Sequence, residues 1–243
     1  MMNGMDTTND RLYFRQLLSG KDFATSDPFA HQMVNFVYVV GDRSTGEAVL
    51  IDPAYDIATI LGVVAGDEMN VVGTLATHYH QDHVGGAIFG QRIEGLRELL
   101  DTVDVPVHVQ ADEAEWVTKA TAVGSDHLVT HSSGDVLRVG GIDITLVHTP
   151  GHTPGSQCFL VDGKLLAGDT LFLDGCGRTD LPGSNVEQMY DSLQTLAALP
   201  GDTTLYPGHR YSPASSAAMA DVRGSNYVFR PRSKEQFLTM FGQ

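Results

Sequence analysis

Residues 78–86 read HYHQDHVGG, three histidines and an aspartate within six positions, followed by two glycines. Imidazole and carboxylate donors at this density suit zinc, iron or manganese, and no cysteine stands near enough to suggest a structural zinc site. His78 and His80 lie two apart, so an extended backbone points them the same way, while Asp82 and His83 fall in the turn that starts a following helix. Gly85 and Gly86 allow the chain to turn tightly there. Any one histidine is as readily a surface or core residue. A closed metal site therefore needs donors from remote parts of the chain, and three stretches supply them: TPGHTPG around His152, LAGD ending on Asp169, and YPGH ending on His209.

The pattern around these stretches alternates strands and helices. VNFVYVV (34–40) and EAVLI (47–51) read as a hairpin, IATILGVVA (57–65) as a helix, and VVGTLAT (71–77) as a strand that stops at His78. IEGLRELLDTV (93–103) places Ile93, Leu96, Leu99, Leu100 and Val103 on one helical face, followed by the short strand VPVHVQ (105–110) and the helix DEAEWVTKATAV. DITLVHT (143–149), QCFLVD (157–162), KLLAGD (164–169) and TTLYPGH (203–209) read as strands, and VEQMYDSLQTLAAL as a helix. His78, His152, Asp169 and His209 thus each fall at or just beyond a strand's C-terminal end, where loops on a rigid scaffold collect chemistry.

In this order THYHQDHVGG, HTPGHTPGS, LLAGDTLF and LYPGH, preceded by VLIDP, resemble the metallo-β-lactamase superfamily over about residues 33–211. The resemblance implies an α/β fold, a four-layer αβ/βα sandwich with metals at one edge of its two sheets. By position it assigns His78, His80 and His152 to a first site, Asp82, His83 and His209 to a second, and Asp169 to a bridge between them, with Asp52 of VLIDP as a supporting carboxylate. His31, His108, His127, His131 and His148 match no ligand motif. The implied cofactors are two divalent ions, zinc foremost with iron or manganese as alternatives. Such a pair generates hydroxide from water at neutral pH and polarises a carbonyl, with Asp82 placed to steer the attacking water.

DGCGRTDLPGS (174–184) addresses the substrate. Its GCGR part resembles glyoxalase II (hydroxyacylglutathione hydrolase) and the persulfide dioxygenases of the same superfamily, and the continuation RTD is more similar to the latter. The resemblance puts Arg178 and Tyr211 where such enzymes contact the thiol carrier; a guanidinium suits a carboxylate. Only 34 residues follow His209, fewer than the helical C-terminal domain of glyoxalase II requires, and the segment between His83 and His152 is longer than in that branch. The expected function is hydrolysis of a small-thiol thioester by metal-bound hydroxide. The alternative is a persulfide dioxygenase with one Fe(II) held by His78, His152 and Asp169, a two-histidine, one-carboxylate triad.

Composition narrows the partners. The 243-residue chain has 42% hydrophobic residues and a formal net charge of −15, which suits a buried core and disfavours nucleic acid; the nearest approach to a basic cluster is Arg223, Arg230, Arg232 and Lys234. MMNGMDTTNDRLYF contains no apolar leader, and no stretch approaches the roughly 18 apolar residues of a membrane span. A single domain over 1–243, a cytoplasmic location, reduced thiols at Cys158 and Cys176 and a small thiol-conjugate substrate are therefore expected, with a homodimer left open.

Overall fold

The computed structural model describes residues 10–88 and 90–242, so residues 1–9, most of the N-terminal stretch read for a leader, lie outside it. The first half runs β1 (Leu12–Leu18), α1 (Pro28–Met33), β2 (Phe36–Asp42), β3 (Glu47–Ile51), α2 (Ile57–Gly66), β4 (Asn70–Leu75), the single turn α3 (Gln81–Val84), the small hairpin β5 (Gly86–Ile88) and β6 (Gln91–Ile93), α4 (Leu96–Thr102), β7 (Val107–Gln110), α5 (Ala114–Thr121) and β8 (Leu128–His131). The second continues with β9 (Val136–Val139), β10 (Ile142–His148), β11 (Gln157–Val161), β12 (Lys164–Leu166), α6 (Val186–Ala197), β13 (Thr204–Tyr206), β14 (Ala217–Ala218), α7 (Met219–Ser225) and α8 (Lys234–Phe241). Two six-stranded sheets result, ordered β1-β2-β3-β4-β7-β8 and β14-β13-β12-β11-β10-β9.

Strand alternation explains why the sheets stack. In β2, Val37 and Val39 join α2 residues Ile57, Ile60 and Val64 on the outer face, while Phe36, Tyr38 and Val40 turn inward. There they meet Ile144, Leu146, Phe159 and Val161 of the second sheet. Cys158 of β11 faces out with Leu165 against Met189, Leu193 and Leu196 of α6 and against Val222 and Phe237 of α7 and α8. Helix, sheet, sheet and helix make four layers, the expected sandwich. Local signals fix the helix starts: Asp27 and Asn185 each accept two backbone N–H groups at the first turns of α1 and α6, and Asp56 accepts one from Thr59.

Several elements differ from the sequence reading. The helix expected from Ile93 begins only at Leu96, because Ile93 closes the β5–β6 hairpin and Gly95 lies against the backbone of Val84 and Gly85, where no side chain fits. Val34, expected in a strand, caps α1 with φ 49°, so β2 starts at Phe36. His78 stands three residues beyond β4, and the helix expected from Asp112 opens as a 3₁₀ turn over Ala111–Glu113 before α5. The edge strands β1, β8 and β9 carried too little alternation to be read. Among the described residues no helix is long and apolar enough to cross a membrane. The described residues after His209 include β14, α7 and α8, the two helices packed on α6 as part of the outer layer.

Topology puts the chemistry on one rim. β3, β4 and β7 run parallel, as do β12 and β13; β10 and β12 both pair antiparallel with β11 and so share a direction. The loops leaving these strands at their C-terminal ends meet across the sandwich. Gln157 N–H donates to Thr77 O at 2.9 Å, and Phe36 N–H to Gly208 O at 2.8 Å, so each sheet is sewn to the other beside the donor-bearing loops.

Away from the rim, Asp42 ties β2 to the β9–β10 turn. It accepts from Arg11 Nε at 2.8 Å, Ser44 N–H at 2.9 Å and Gly141 N–H at 2.6 Å. The Arg11 guanidinium holds its carboxyl well below the usual carboxylate range. With its pKa lowered in the fold, Asp42 contributes stability above its unperturbed 3.8 that is lost as pH falls through the folded value. Asp42→Asn should therefore lower the urea midpoint at pH 7, and the gap from the parent protein should narrow progressively in acid below that unperturbed value.

Candidate metal centre

Seven side chains named from the sequence converge at the rim. Nitrogens of His78, His80 and His152 lie within 4.8 Å of one another, as do the donor atoms of Asp82, His83 and His209. Asp169 stands between the groups: its Oδ1 is 3.5 Å from His83 Nε2, and its Oδ2 is 3.3 Å from His209 Nε2 and 3.7 Å from His152 Nε2. α3 carries Asp82 and His83 on one turn after the extended His80, which is the geometry expected of HYHQDH.

Four of the five rings are aimed by a partner on the other nitrogen. His152 Nδ1–H donates to Arg178 O at 2.8 Å, and His209 Nδ1–H to Met33 O at 2.7 Å. His83 Nδ1–H donates to Asp52 Oδ2 at 2.9 Å, and His78 Nδ1 meets Thr77 Oγ1 at 3.0 Å while that hydroxyl donates to Asp52. These bonds fix the tautomers and leave Nε2 lone pairs facing inward, the arrangement that orients metal-binding histidines. His80 turns the other way and presents Nδ1, 3.0 Å from His152 Nε2.

The residues present fit divalent ions. His80 Nδ1 and His152 Nε2 at 3.0 Å, and His83 Nε2 and His209 Nε2 at 3.2 Å, approach the roughly 3.3 Å that two nitrogens about 2.05 Å from a tetrahedral zinc would keep. His78 Nε2 and Asp169 Oδ1 are buried without a hydrogen-bond partner, a costly state for a protein to hold unless something else satisfies them. Burial, reinforced by its imidazole neighbours, pushes His78 well below the usual histidine range; burial and His152 push His80 down to about 4. Both are thus neutral donors. Burial opposes ionisation of Asp169, yet His209 and His83, which are protonated when no cation occupies the centre, outweigh it and hold the carboxyl well below its usual range.

Asp52, His78 and His83 also lie within ligating distance of one another. The oxygens of Asp52 are already occupied by Thr77 N–H at 2.7 Å, Thr77 Oγ1 at 2.6 Å and His83 Nδ1, contacts that suit a supporting carboxylate better than a donor. It does so at φ 53°, a left-handed conformation that costs a non-glycine residue of order 1 kcal/mol. Of the other histidines, His148 bonds Pro154 O and His108 pairs with His131, both away from the cluster.

Sequence reading missed two residues that build the centre. Asn35 Nδ2 donates to Asp82 Oδ2 at 3.1 Å and its Oδ1 accepts from Tyr55 at 2.9 Å; a lone asparagine before a strand gives no signal of this. Glu113, buried at the start of α5, accepts Tyr79 N–H, Thr153 O–H and Gly155 N–H, each at 2.7 Å, and so clamps the His78/His80 loop to the His152 loop. Burial pushes Glu113 up to about 7 although all three donors favour its carboxylate.

The cluster floors a cleft of about 770 Å³. Tyr79 and Trp116 stack at 4.9 Å on one wall, and Tyr211 lies flat over His209 at 4.7 Å on the other. Arg178 is at the mouth, where its exposed guanidinium forks onto Asp180 through Nε at 2.9 Å and Nη2 at 2.8 Å. Gly177 accounts for the GCGR pattern, since a Cβ there would collide with Asp169 O and sit 2.9 Å from the His152 ring. Cys158 and Cys176 are free thiols, pushed by burial up to about 11 and about 12 and so unreactive.

The chain is similar to known proteins over most of its length. Residues 32–209 match the family description of the metallo-beta-lactamase superfamily. The chain is 30% identical over 210 residues to the probable polyketide biosynthesis zinc-dependent hydrolase BaeB of Bacillus velezensis, covering 86% of this chain and 88% of that protein. It is 35% identical over 190 residues to a hydroxyacylglutathione hydrolase of Xanthomonas campestris, covering 78% and 67%. The crystal structure of ETHE1 from Myxococcus xanthus superposes with a TM-score of 0.76 at 29% identity, over 95% of this chain and 90% of that one.

Glu113→Ala would leave three buried donors without an acceptor and free the two histidine loops from each other. It should cost about 2–4 kcal/mol of stability, and elemental analysis after dialysis should find less than half of the parent protein's divalent metal; full retention of metal would show that the clamp does not position the centre.

Proposed function

The chain belongs to the metallo-beta-lactamase superfamily, and from that premise we propose that it hydrolyses a thioester of a small thiol with a pair of divalent ions, zinc foremost. The observation that carries this reading is the completeness of both donor sets, His78/His80/His152 and Asp82/His83/His209, joined by Asp169 beneath one cleft. Its likeness to proteins called zinc-dependent hydrolase and hydroxyacylglutathione hydrolase supports the reaction class. Divalent ions held there would acidify a water and polarise the thioester carbonyl.

The chain's own residues do the rest. Asp82 faces the cleft, aligned by Asn35 and kept ionised, against the cost of burial, by His83 and His209. It takes a proton from the attacking water as the new C–O bond forms, and returns it to sulfur as the C–S bond breaks, giving acid and free thiol. Tyr79 and Trp116 shield the reacting carbon from bulk water. Tyr211 and Arg178, at the mouth, contact the thiol arm.

A second reading rests on the GCGRTD segment: oxidation of a thiol persulfide by one Fe(II) held by His78, His152 and Asp169. Metal analysis of protein purified without oxygen separates the two. About two ions per chain together with thioester turnover is the expected result; about one iron, with oxygen consumed in the presence of a persulfide, would replace the hydrolase reading. Asp169→Ala and His78→Ala should each lose metal and activity together, by at least 100-fold in kcat/KM. Unchanged metal content in Asp169→Ala would refute the bridging role.

A further inference from the structure

The proposed thioester chemistry leaves open what the thiol carries, and the charge around the cleft bears on it. Apart from the donor cluster on its floor, the charged side chains lining the cleft are Arg178 and Asp174. Arg178 is already engaged: Nε and Nη2 both donate to Asp180 two residues along the same loop. The remaining walls are uncharged: apolar or aromatic at Met33, Ile88, Trp116, Phe172, Leu181 and Pro182, with the Gln81 amide and the rings of Tyr79, Tyr211 and Tyr227 as neutral polar groups.

A glutathione arm brings two carboxylates and one ammonium. In this cleft its carboxylates would meet one guanidinium with its planar fork taken and one competing carboxylate, in the field of a chain of net charge −15. Two carboxylates would give up hydration for at most the one Arg178 nitrogen, Nη1, that Asp180 leaves free. An uncharged arm of amides and methylenes meets no such penalty. Its methylenes lie on the Tyr79–Trp116 stack and on Phe172, and Arg178 Nη1, which Asp180 does not engage, can donate to an amide carbonyl.

We propose that the cleft selects thioesters whose thiol arm is uncharged and amide-bearing, of the N-acetylcysteamine type, and that the Arg178–Asp180 pair is the element that turns anionic arms away. The inference rests on the hydrolase reading for its reaction, but arm recognition can be measured without any reaction.

Two non-hydrolysable thioethers, S-propyl-N-acetylcysteamine and S-propylglutathione, serve as binding probes for the metal-loaded protein by calorimetry. Acetyl thioesters of the same two thiols are the hydrolysis probes. The neutral thioether should bind at least tenfold more tightly, and the neutral ester should show at least tenfold higher kcat/KM. Asp180→Asn, which releases the guanidinium, should raise the glutathione-to-neutral ratio about tenfold in both assays. Tighter binding of the glutathione thioether by the parent protein, or a ratio unmoved in Asp180→Asn, would overturn the inference and leave hydrolysis standing. Binding preference for the neutral arm with no turnover of either ester would uphold the selectivity and remove the hydrolase reading instead.

Discussion

Every other feature of this molecule answers to one constraint: nitrogen and oxygen lone pairs from loops of two different sheets must point at the same small volume. Five imidazoles and two carboxylates gathered together, most of them buried, are expensive to desolvate, and the cost is tolerable when fixed partners on the far side and a cation between them take up their polar atoms. The partners come from everywhere in the chain: Asp52 after β3, Thr77 after β4, Met33 at the end of α1, the Arg178 carbonyl after β12. None is local to the ring it orients except Thr77. The sandwich therefore has to be in register before the centre exists, and the bonds that cross between sheets at Gln157 and Phe36 hold that register where it matters.

This division of labour explains what could be read from sequence. Donors are legible because metal chemistry restricts them to a few residue types, and HYHQDH compresses four into six residues, a density that a chain has little other reason to build. The outer supports are not legible, because any carbonyl, hydroxyl or amide at the right point in space will serve. Asp52 was found through the VLIDP pattern, whereas Asn35 and Glu113, which touch Asp82 and the two histidine loops, sit in stretches with no distinguishing composition.

The secondary structure divides in the same way. β2, β3 and β11 have both faces largely buried in different layers, so their sequences are nearly continuous apolar runs, whereas β10 alternates buried Ile142, Ile144 and Leu146 with less buried positions; both patterns declare themselves. β8 and β9 close the open edges of the sheets with exposed, mixed side chains, and tertiary pairing alone makes them strands. Ile93 misled because its spacing fits a helix, but the close approach of Gly95 to Val84 and Gly85 decides the backbone, and spacing carries no information about such an approach.

The loop at 177–180 shows how such an enzyme could change its diet. Its backbone is committed: Gly177 is wedged against Asp169 and His152, and the next carbonyl holds the His152 ring. Its side chains at 178 and 180 project to solvent and touch no donor atom. Lengthening or shortening this loop would misalign the centre, while exchanging those two side chains leaves it intact. Point replacements at the doorway can thus alter the clientele while the floor of the cleft stays as it is.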